Sequence, residues 1–217
     1  MTVLDLGVNV DVNVGADLDM LETRDAAVRR AEPGEAQRLL DTLTLAFYAD
    51  PATRWLFPDD DQYLVQFPRF ARALGGAAIG RRTAWLADDH AGAALWLPPD
   101  AHPDDAALLA LVEEGVAPRE RSDALSVFEA MAQYHPDQPH WYLPLIGVKP
   151  LSRRLGLGGA LLRAALAECD AAHLPAYLEA TNPRNRALYA RHGFEPVGDI
   201  KAGRCPPITP MLRRARD

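Results

Sequence analysis

The chain has 217 residues, a formal net charge of -7, and 48% hydrophobic against 24% charged residues. That length serves one sizeable core, and the near-average composition excludes a disordered or fibrous chain. The acidic balance repels a phosphate backbone, so no nucleic acid partner is expected, whereas a cationic acceptor is favoured and a local basic cluster can still hold an anionic cofactor.

Residues 1–22 alternate apolar and polar from Val8 to Val14, the period of a strand, but their acidity and want of a partner strand read as a loosely attached leader. Residues 23–217 are then expected to form a single domain. No stretch approaches the ~18 consecutive apolar residues of a membrane span, and the start lacks a basic segment followed by an apolar run. The expectation is a cytoplasmic protein that makes no membrane contact. The cysteines, Cys169 and Cys205, stand in no C-x-x-C or Cys/His ligand spacing, so neither a disulfide framework nor a metal site is expected.

In chain order, residues 26–30 read as a short strand, and Glu32-Pro33-Gly34-Glu35 as the start of a helix running to about Tyr48. Asp50-Pro51 interrupts it. Trp55, Leu56 and Phe57 with Tyr63, Phe67 and Phe70 place many aromatics beside a broken helical region, a candidate pocket wall. Asp50, Trp55 and Tyr63 are its candidate substrate-binding residues, although capping and core packing compete for each. Residues 83–87 and 93–97 are apolar runs joined by a polar, glycine-containing turn, a hairpin. Residues 104–133 have helical spacing broken by Gly115 and Pro118, which predicts two helices.

The run Trp141-Tyr142-Leu143-Pro144-Leu145-Ile146-Gly147-Val148 has strand composition, and its proline and glycine predict a bulge or splay. Arg153-Arg154-Leu155-Gly156-Leu157-Gly158-Gly159 follows, then Leu161, Leu162, Ala165, Leu166 and Cys169 at the spacing of one helical face. Strand, glycine-rich loop and helix together suit a phosphate. Glycines let the backbone approach, amides at a helix N-terminus point outward, and the two arginines supply counter-charge. The competing reading of such a loop is a tight packing turn. A dinucleotide fingerprint starting at Gly156 fails at Leu161, and the Gly-Lys-Ser/Thr ending of a P-loop is absent.

Arg153, Gly156 and Gly158 stand in the pattern Arg/Gln-x-x-Gly-x-Gly/Ala. After the next predicted strand, residues 176–181, come Asn185, Tyr189 and then Gly193-Phe194. On these two ordered motifs the chain resembles the GNAT superfamily of N-acetyltransferases. Within it the nearest likeness is to the puromycin N-acetyltransferase group of actinobacterial enzymes, carried by His140-Trp141-Tyr142-Leu143, Pro175-Ala176-Tyr177-Leu178-Glu179 and Pro183-Arg184-Asn185. The resemblance implies an α/β (α+β) GNAT fold, a mixed central sheet flanked by helices in which two parallel strands splay to admit acetyl-CoA. It implies that the backbone of Ile146, Gly147 and Val148 meets the pantetheine arm, that Arg153, Arg154, Leu155, Gly156, Leu157, Gly158 and Gly159 hold the pyrophosphate, and that Asn185 faces the thioester.

The implied reaction is acetyl transfer from acetyl-CoA to a primary amine of a small molecule, by direct attack in a ternary complex. Tyr189 is the implied general acid, protonating the thiolate. Glu179 is the first candidate for the base that frees the amine, an ion pair being the competing reading, and His140 is second. A catalytically silent acyl-CoA-binding sensor of the same fold is the alternative function. Acceptor identity and oligomeric state are left open.

Overall fold

The structure, a computed structural model, describes residues 26–216, so the leader expected over residues 1–22 lies outside the described residues. Strand β1 (Val28–Arg30) leads through a turn at Pro33–Glu35 into helix α1 (Ala36–Phe47), which buries Leu39, Leu40 and Leu43 at three-and-four spacing. Burying each of these leucines contributes about 1.5–3 kcal/mol. Asp50 then starts helix α2 (Pro51–Leu56). Its Oδ1 accepts the N–H groups of Ala52 and Thr53 at 3.1 Å, and Pro51 occupies the first turn, where its missing donor is not needed. Asp59 caps helix α3 (Asp60–Gly75) by accepting the Gln62 N–H. A single turn, α4 (Ala77–Gly80), precedes the hairpin of β2 (Ala84–Ala87) and β3 (Gly92–Leu97). Helices α5 (Asp105–Gly115) and α6 (Pro118–Tyr134) divide where Gly115 and Pro118 break the helical spacing.

Strand β4 (Trp141–Val148), helix α7 (Leu157–Ala171) and strand β5 (Ala176–Ala180) make a parallel crossover unit. Helix α8 (Arg186–Arg191) and strands β6 (Glu195–Pro196) and β7 (Thr209–Arg213) complete the described chain. The sheet runs β1-β2-β3-β4-β5-β7-β6, with β4 and β5 parallel and every other neighbouring pair antiparallel. It is a mixed central sheet flanked by helices. Alternation along the strands feeds two cores. Leu95, Tyr142, Leu145 and Tyr177 pack with α1, α3 and α5, while Trp96, Trp141, Leu143 and Leu178 pack with α7.

The parallel ladder is short because β4 bulges. Trp141, Tyr142 and Leu143 pair with Ala176, Tyr177 and Leu178, and the Trp141 N–H donates to the Pro175 carbonyl. Donors toward β5 therefore alternate at Trp141 and Leu143, and the next would be Leu145. Against β3, Leu145 pairs with Leu95 but Tyr142 with Leu97, so β4 carries one extra residue around Pro144, and Leu145 turns to β3 instead. The bulge and splay predicted from Pro144 and Gly147 are both present, and beyond Leu143 the two strands diverge.

Candidate active site

The splay leaves one edge of β4 without a strand partner, and the register identifies the exposed groups. The Lys149 N–H donates to the Ala91 carbonyl at 2.8 Å beside the pair Gly92↔Val148. In an antiparallel ladder such bonds recur at alternate residues. Lys149, Gly147 and Leu145 therefore turn their backbone groups toward β3, and Ile146 and Val148 turn theirs toward the gap. Gly147 serves packing: a Cβ there would lie 2.5 Å from the Ala46 Cβ, so α1 can cross the strand only over a glycine.

The glycine-rich loop sits at the mouth of this gap. Arg154 and Gly156 both adopt left-handed backbone, at φ 68 and 77. Gly156, the N-cap of α7, has no side chain to cap it, so the first-turn amides of Leu157, Gly158 and Gly159 keep their donors free of intrahelical partners. Gly158 lies between β4 and α8, where its Cβ would meet Leu188 at 3.3 Å and Val148 at 4.0 Å. The loop, the unpaired strand edge and the helix carrying Tyr189 thus converge on one residue. A donor set of backbone amides beside exposed arginines fits a pyrophosphate, and an unpaired strand edge fits the amide-bearing arm of a pantetheine. The Arg153 guanidinium itself donates to the Ala46 carbonyl at 2.9 Å, tying the loop to α1.

On the other side of the splay a cavity of about 840 Å³ of empty space, part of it open to solvent, extends between the strands and helices α2, α3 and α6. Trp55, Phe70, Phe128 and Met131 contribute apolar walls, and Glu179, Thr181, Asn185 and Tyr189 contribute polar groups. Asn185 closes the turn Pro183–Asn185 and α8 begins one residue later, so both motif residues reach the same space. Tyr189 is buried, its ring edge-on to Phe194 at 6.3 Å. Burial first and the nearby Asp50 second push its phenol above the usual tyrosine range, so it stays protonated at neutral pH. Asp50 is also buried, and its second oxygen accepts the Thr181 hydroxyl at 2.6 Å, joining α2 to the end of β5. Burial holds its carboxyl above the ordinary range, against the pull of those hydrogen bonds.

Glu179 is the most exceptional group in the cavity. Its side chain is 3% exposed, and among the described residues its Oε1 has no hydrogen-bond partner. The imidazole Nε2 of His135 stands 3.4 Å away. His135 follows α6, and its ring packs on Tyr142 and Tyr177 at 4.6 and 4.5 Å between centroids. Both phenols are pushed above their usual range, by burial first and then by Glu179. His135 Nδ1 lies 3.1 Å from His140 Nε2, and His140 Nδ1 lies 2.9 Å from the Gln138 carbonyl.

The sequence candidates thus separate. Ile146, Val148, Gly158, Glu179, Asn185 and Tyr189 gather around the splay, and Trp55 lines the cavity. Tyr63 does not: it is fully buried in the core, stacked on Phe67, with its hydroxyl donating to the Thr44 carbonyl. The Asp59-Asp60-Asp61 run faces solvent at the start of α3, where Asp60 pairs with Arg54 at 2.7 Å. Sequence reasoning missed His135 altogether. The spacing of a histidine five residues before His140 was visible, but nothing local indicated that the α6 terminus returns to β5. It also missed Cys205 and Ile208, whose segment closes one side of the cavity and whose thiol is pushed up to about 12 by burial.

Comparison with known proteins agrees with this geometry. Residues 46–194 match the profile of the acetyltransferase (GNAT) family. An uncharacterized N-acetyltransferase of Schizosaccharomyces pombe is 26% identical over 184 residues, covering 77% of this chain and 74% of its own length. The crystal structure of a histone acetyltransferase HPA2 and related acetyltransferase from Corynebacterium glutamicum is similar with a TM-score of 0.64 and 26% identity, over 88% of this chain and 97% of that one. The polyamine N-acetyltransferase of Drosophila melanogaster, which forms N-acetylagmatine, is similar in fold, with a TM-score of 0.62 at 15% identity over 87% of this chain and 99% of that one.

Proposed function

The chain belongs to the acetyltransferase (GNAT) family, and from that premise we propose that it transfers the acetyl group of acetyl-CoA to a primary amine of a small molecule by direct attack in a ternary complex. The observation that carries this reading is the meeting of an unpaired strand edge at Ile146 and Val148, free amides at the start of α7, and a cavity holding both a protonated phenol and a buried carboxylate. The thioester supplies an activated acetyl group and a thiol leaving group. The chain's residues supply the rest.

In this proposal the backbone of Ile146 and Val148 aligns the pantetheine arm as an added strand would, and the amides of residues 154–159 hold the pyrophosphate. Arg153, committed to Ala46, positions the loop, and Arg154 supplies the charge. The gap-facing N–H of Ile146, the residue that lines the cavity with Tyr189 and Glu179, donates to the acetyl oxygen as negative charge gathers there, and a preorganised donor of this kind contributes on the order of 10²–10³ in rate. Tyr189 donates its proton to the departing sulfur and takes in return the second N–H proton, which the attacking nitrogen gives up as the amide forms. A free thiol has a reference pKa of about 8.5, below that of the buried phenol, so the phenol releases its proton only as that replacement arrives. Glu179 meets the amine from the opposite wall and accepts its proton, which leaves the lone pair free to attack.

The acceptor is a primary amine on a largely apolar body. Its amine end meets Glu179 and its body lies among Trp55, Phe70, Phe128 and Met131. The buried Trp55 Nε1, which has no partner among the described residues, offers one donor to an acceptor atom on that body. The attraction for a cation comes from Glu179, since the exposed aspartates at the start of α3 lie away from the cavity. The likeness to puromycin N-acetyltransferases leaves the acceptor open, and puromycin belongs in the test set. Thiol release at fixed acetyl-CoA across aryl and alkyl monoamines, polyamines, amino acids and puromycin tests the reading. Apolar-bodied monoamines are expected to lead, and a panel led by acidic amines would overturn it.

A further inference from the structure

Neither role given above to Glu179 and Tyr189 accounts for the histidine pair behind Glu179, and the hydrogen-bond chain there permits a definite assignment. The Gln138 carbonyl can only accept, so His140 Nδ1 donates to it at 2.9 Å. In neutral His140 the lone pair is then on Nε2, which accepts from His135 Nδ1 at 3.1 Å. That fixes the His135 tautomer. Its Nε2 carries a lone pair, and this lone pair faces the otherwise unpartnered Glu179 Oε1 at 3.4 Å. A lone pair against a buried carboxylate oxygen repels, and the contact becomes attractive only when a proton lies between the two atoms.

We propose that Glu179 and His135 form a single proton-accepting unit that takes the proton lost by the acceptor amine, with His140 as the positioning residue that holds His135 in the accepting tautomer. The inference rests on the acetyl-transfer reading and extends it. The ammonium N–H bond breaks as an O–H bond forms on Glu179. That O–H bond then breaks as an N–H bond forms on His135 Nε2. His135 ends as an imidazolium that keeps its Nδ1–H bond to His140, beside a carboxylate restored to its charge. With 28% of its side chain exposed against 3% for Glu179, His135 then loses the proton to water, so one proton leaves for each amine acetylated. No tautomer changes over the cycle.

The surroundings suit this assignment. The groups facing His135 are Glu179 and Tyr177 on β5, Tyr142 on β4 and His140, with Tyr134 on α6 near Tyr177 and His102 further off. The phenols of Tyr142 and Tyr177 are held above their usual range. His140 is held below its usual range by burial, which keeps it neutral and able to accept from His135. The phenols of Tyr142 and Tyr177, beside Glu179, cannot take a further proton, so His135 is the group next to the carboxylate that can pass one on.

The test is the pH dependence of kcat/KM for the best acceptor in the parent, His135→Gln, His140→Leu and Glu179→Gln, with thermal unfolding and CoA binding as controls for folding. His135→Gln is expected to lose roughly 10–100-fold in kcat/KM, with the acid limb displaced by about one pH unit or more and CoA affinity retained. His140→Leu is expected to displace the limb in the same direction by less, and added imidazole is expected to restore part of the rate to His135→Ala. Superimposable profiles for the parent and a folded His135→Gln would overturn the inference, and so would a displaced limb in His135→Gln with none in a folded His140→Leu for the positioning role. The underlying reading fails in a different way: an active parent whose Glu179→Gln variant keeps full activity removes Glu179 from the reaction, whatever His135 does.

Discussion

Replacing Tyr189 by Phe separates the chemistry of that residue from its packing. The ring is 6% exposed and meets Phe194 edge-on at 6.3 Å, contacts that Phe retains. Among the described residues the hydroxyl makes no hydrogen bond, so its removal leaves no group newly unsatisfied and should change stability by less than about 1 kcal/mol. Were Tyr189 only a core anchor, activity would change as little. As the general acid it supplies the proton to sulfur, and the loss is expected to be on the order of 10²-fold in both kcat and kcat/KM, or about 2.7 kcal/mol of transition-state stabilisation. The measurement is steady-state thiol release at saturating acetyl-CoA with the best acceptor. A poor acceptor would let amine positioning limit the rate and hide the chemical step. Calorimetric CoA binding should be unchanged. A parent-like kcat in the folded variant would refute the reasoning, because the thiolate would then be leaving without help from Tyr189.

Two further perturbations follow from the geometry. Gly158→Asp puts a side chain 3.3 Å from Leu188 and a negative charge among the first-turn amides of α7. The helix itself tolerates a carboxylate there, so the variant should fold while CoA binding drops by more than about tenfold in calorimetry, and unaltered binding would remove the loop from the site. Asp50→Ala removes the cap of α2 and the partner of Thr181 together. It should cost roughly 2–3 kcal/mol, read as a lowered urea midpoint, and a change within about 0.5 kcal/mol would show that the α2–β5 link is idle.

What could be read from the sequence divides by the range of the interaction that determines it. From β4 through α8, the order of strand, loop, helix, strand and helix is written in neighbouring residues: Pro144 marks the bulge at which the ladder ends, Gly156 starts α7, and Pro183 opens the turn before Tyr189. Those signals are local, and the parts of the site they position were legible. The acceptor side was less so. Trp55 and Tyr63 are eight positions apart in one aromatic-rich stretch, yet Trp55 lines the cavity and Tyr63 is in the core, because a backbone carbonyl nineteen residues earlier, that of Thr44, takes its hydroxyl. The α6 wall and the Cys205 and Ile208 side arrive from distant chain positions, and the pairing of β7 beside β5 comes from a segment whose Pro210 masks its strand pattern. Glu179 was legible as a strand carboxylate. Its missing partner, and the histidine pair behind it, needed the fold.

Direct transfer is tested most closely by following thiol release and the intact mass of the chain after mixing with acetyl-CoA, first without an acceptor and then with the best one. The account predicts negligible thiol and an unmodified chain until the amine is added, and then thiol and acetylated amine in equal amounts. A burst of thiol without amine, accompanied by one acetyl group retained on the chain, would contradict it.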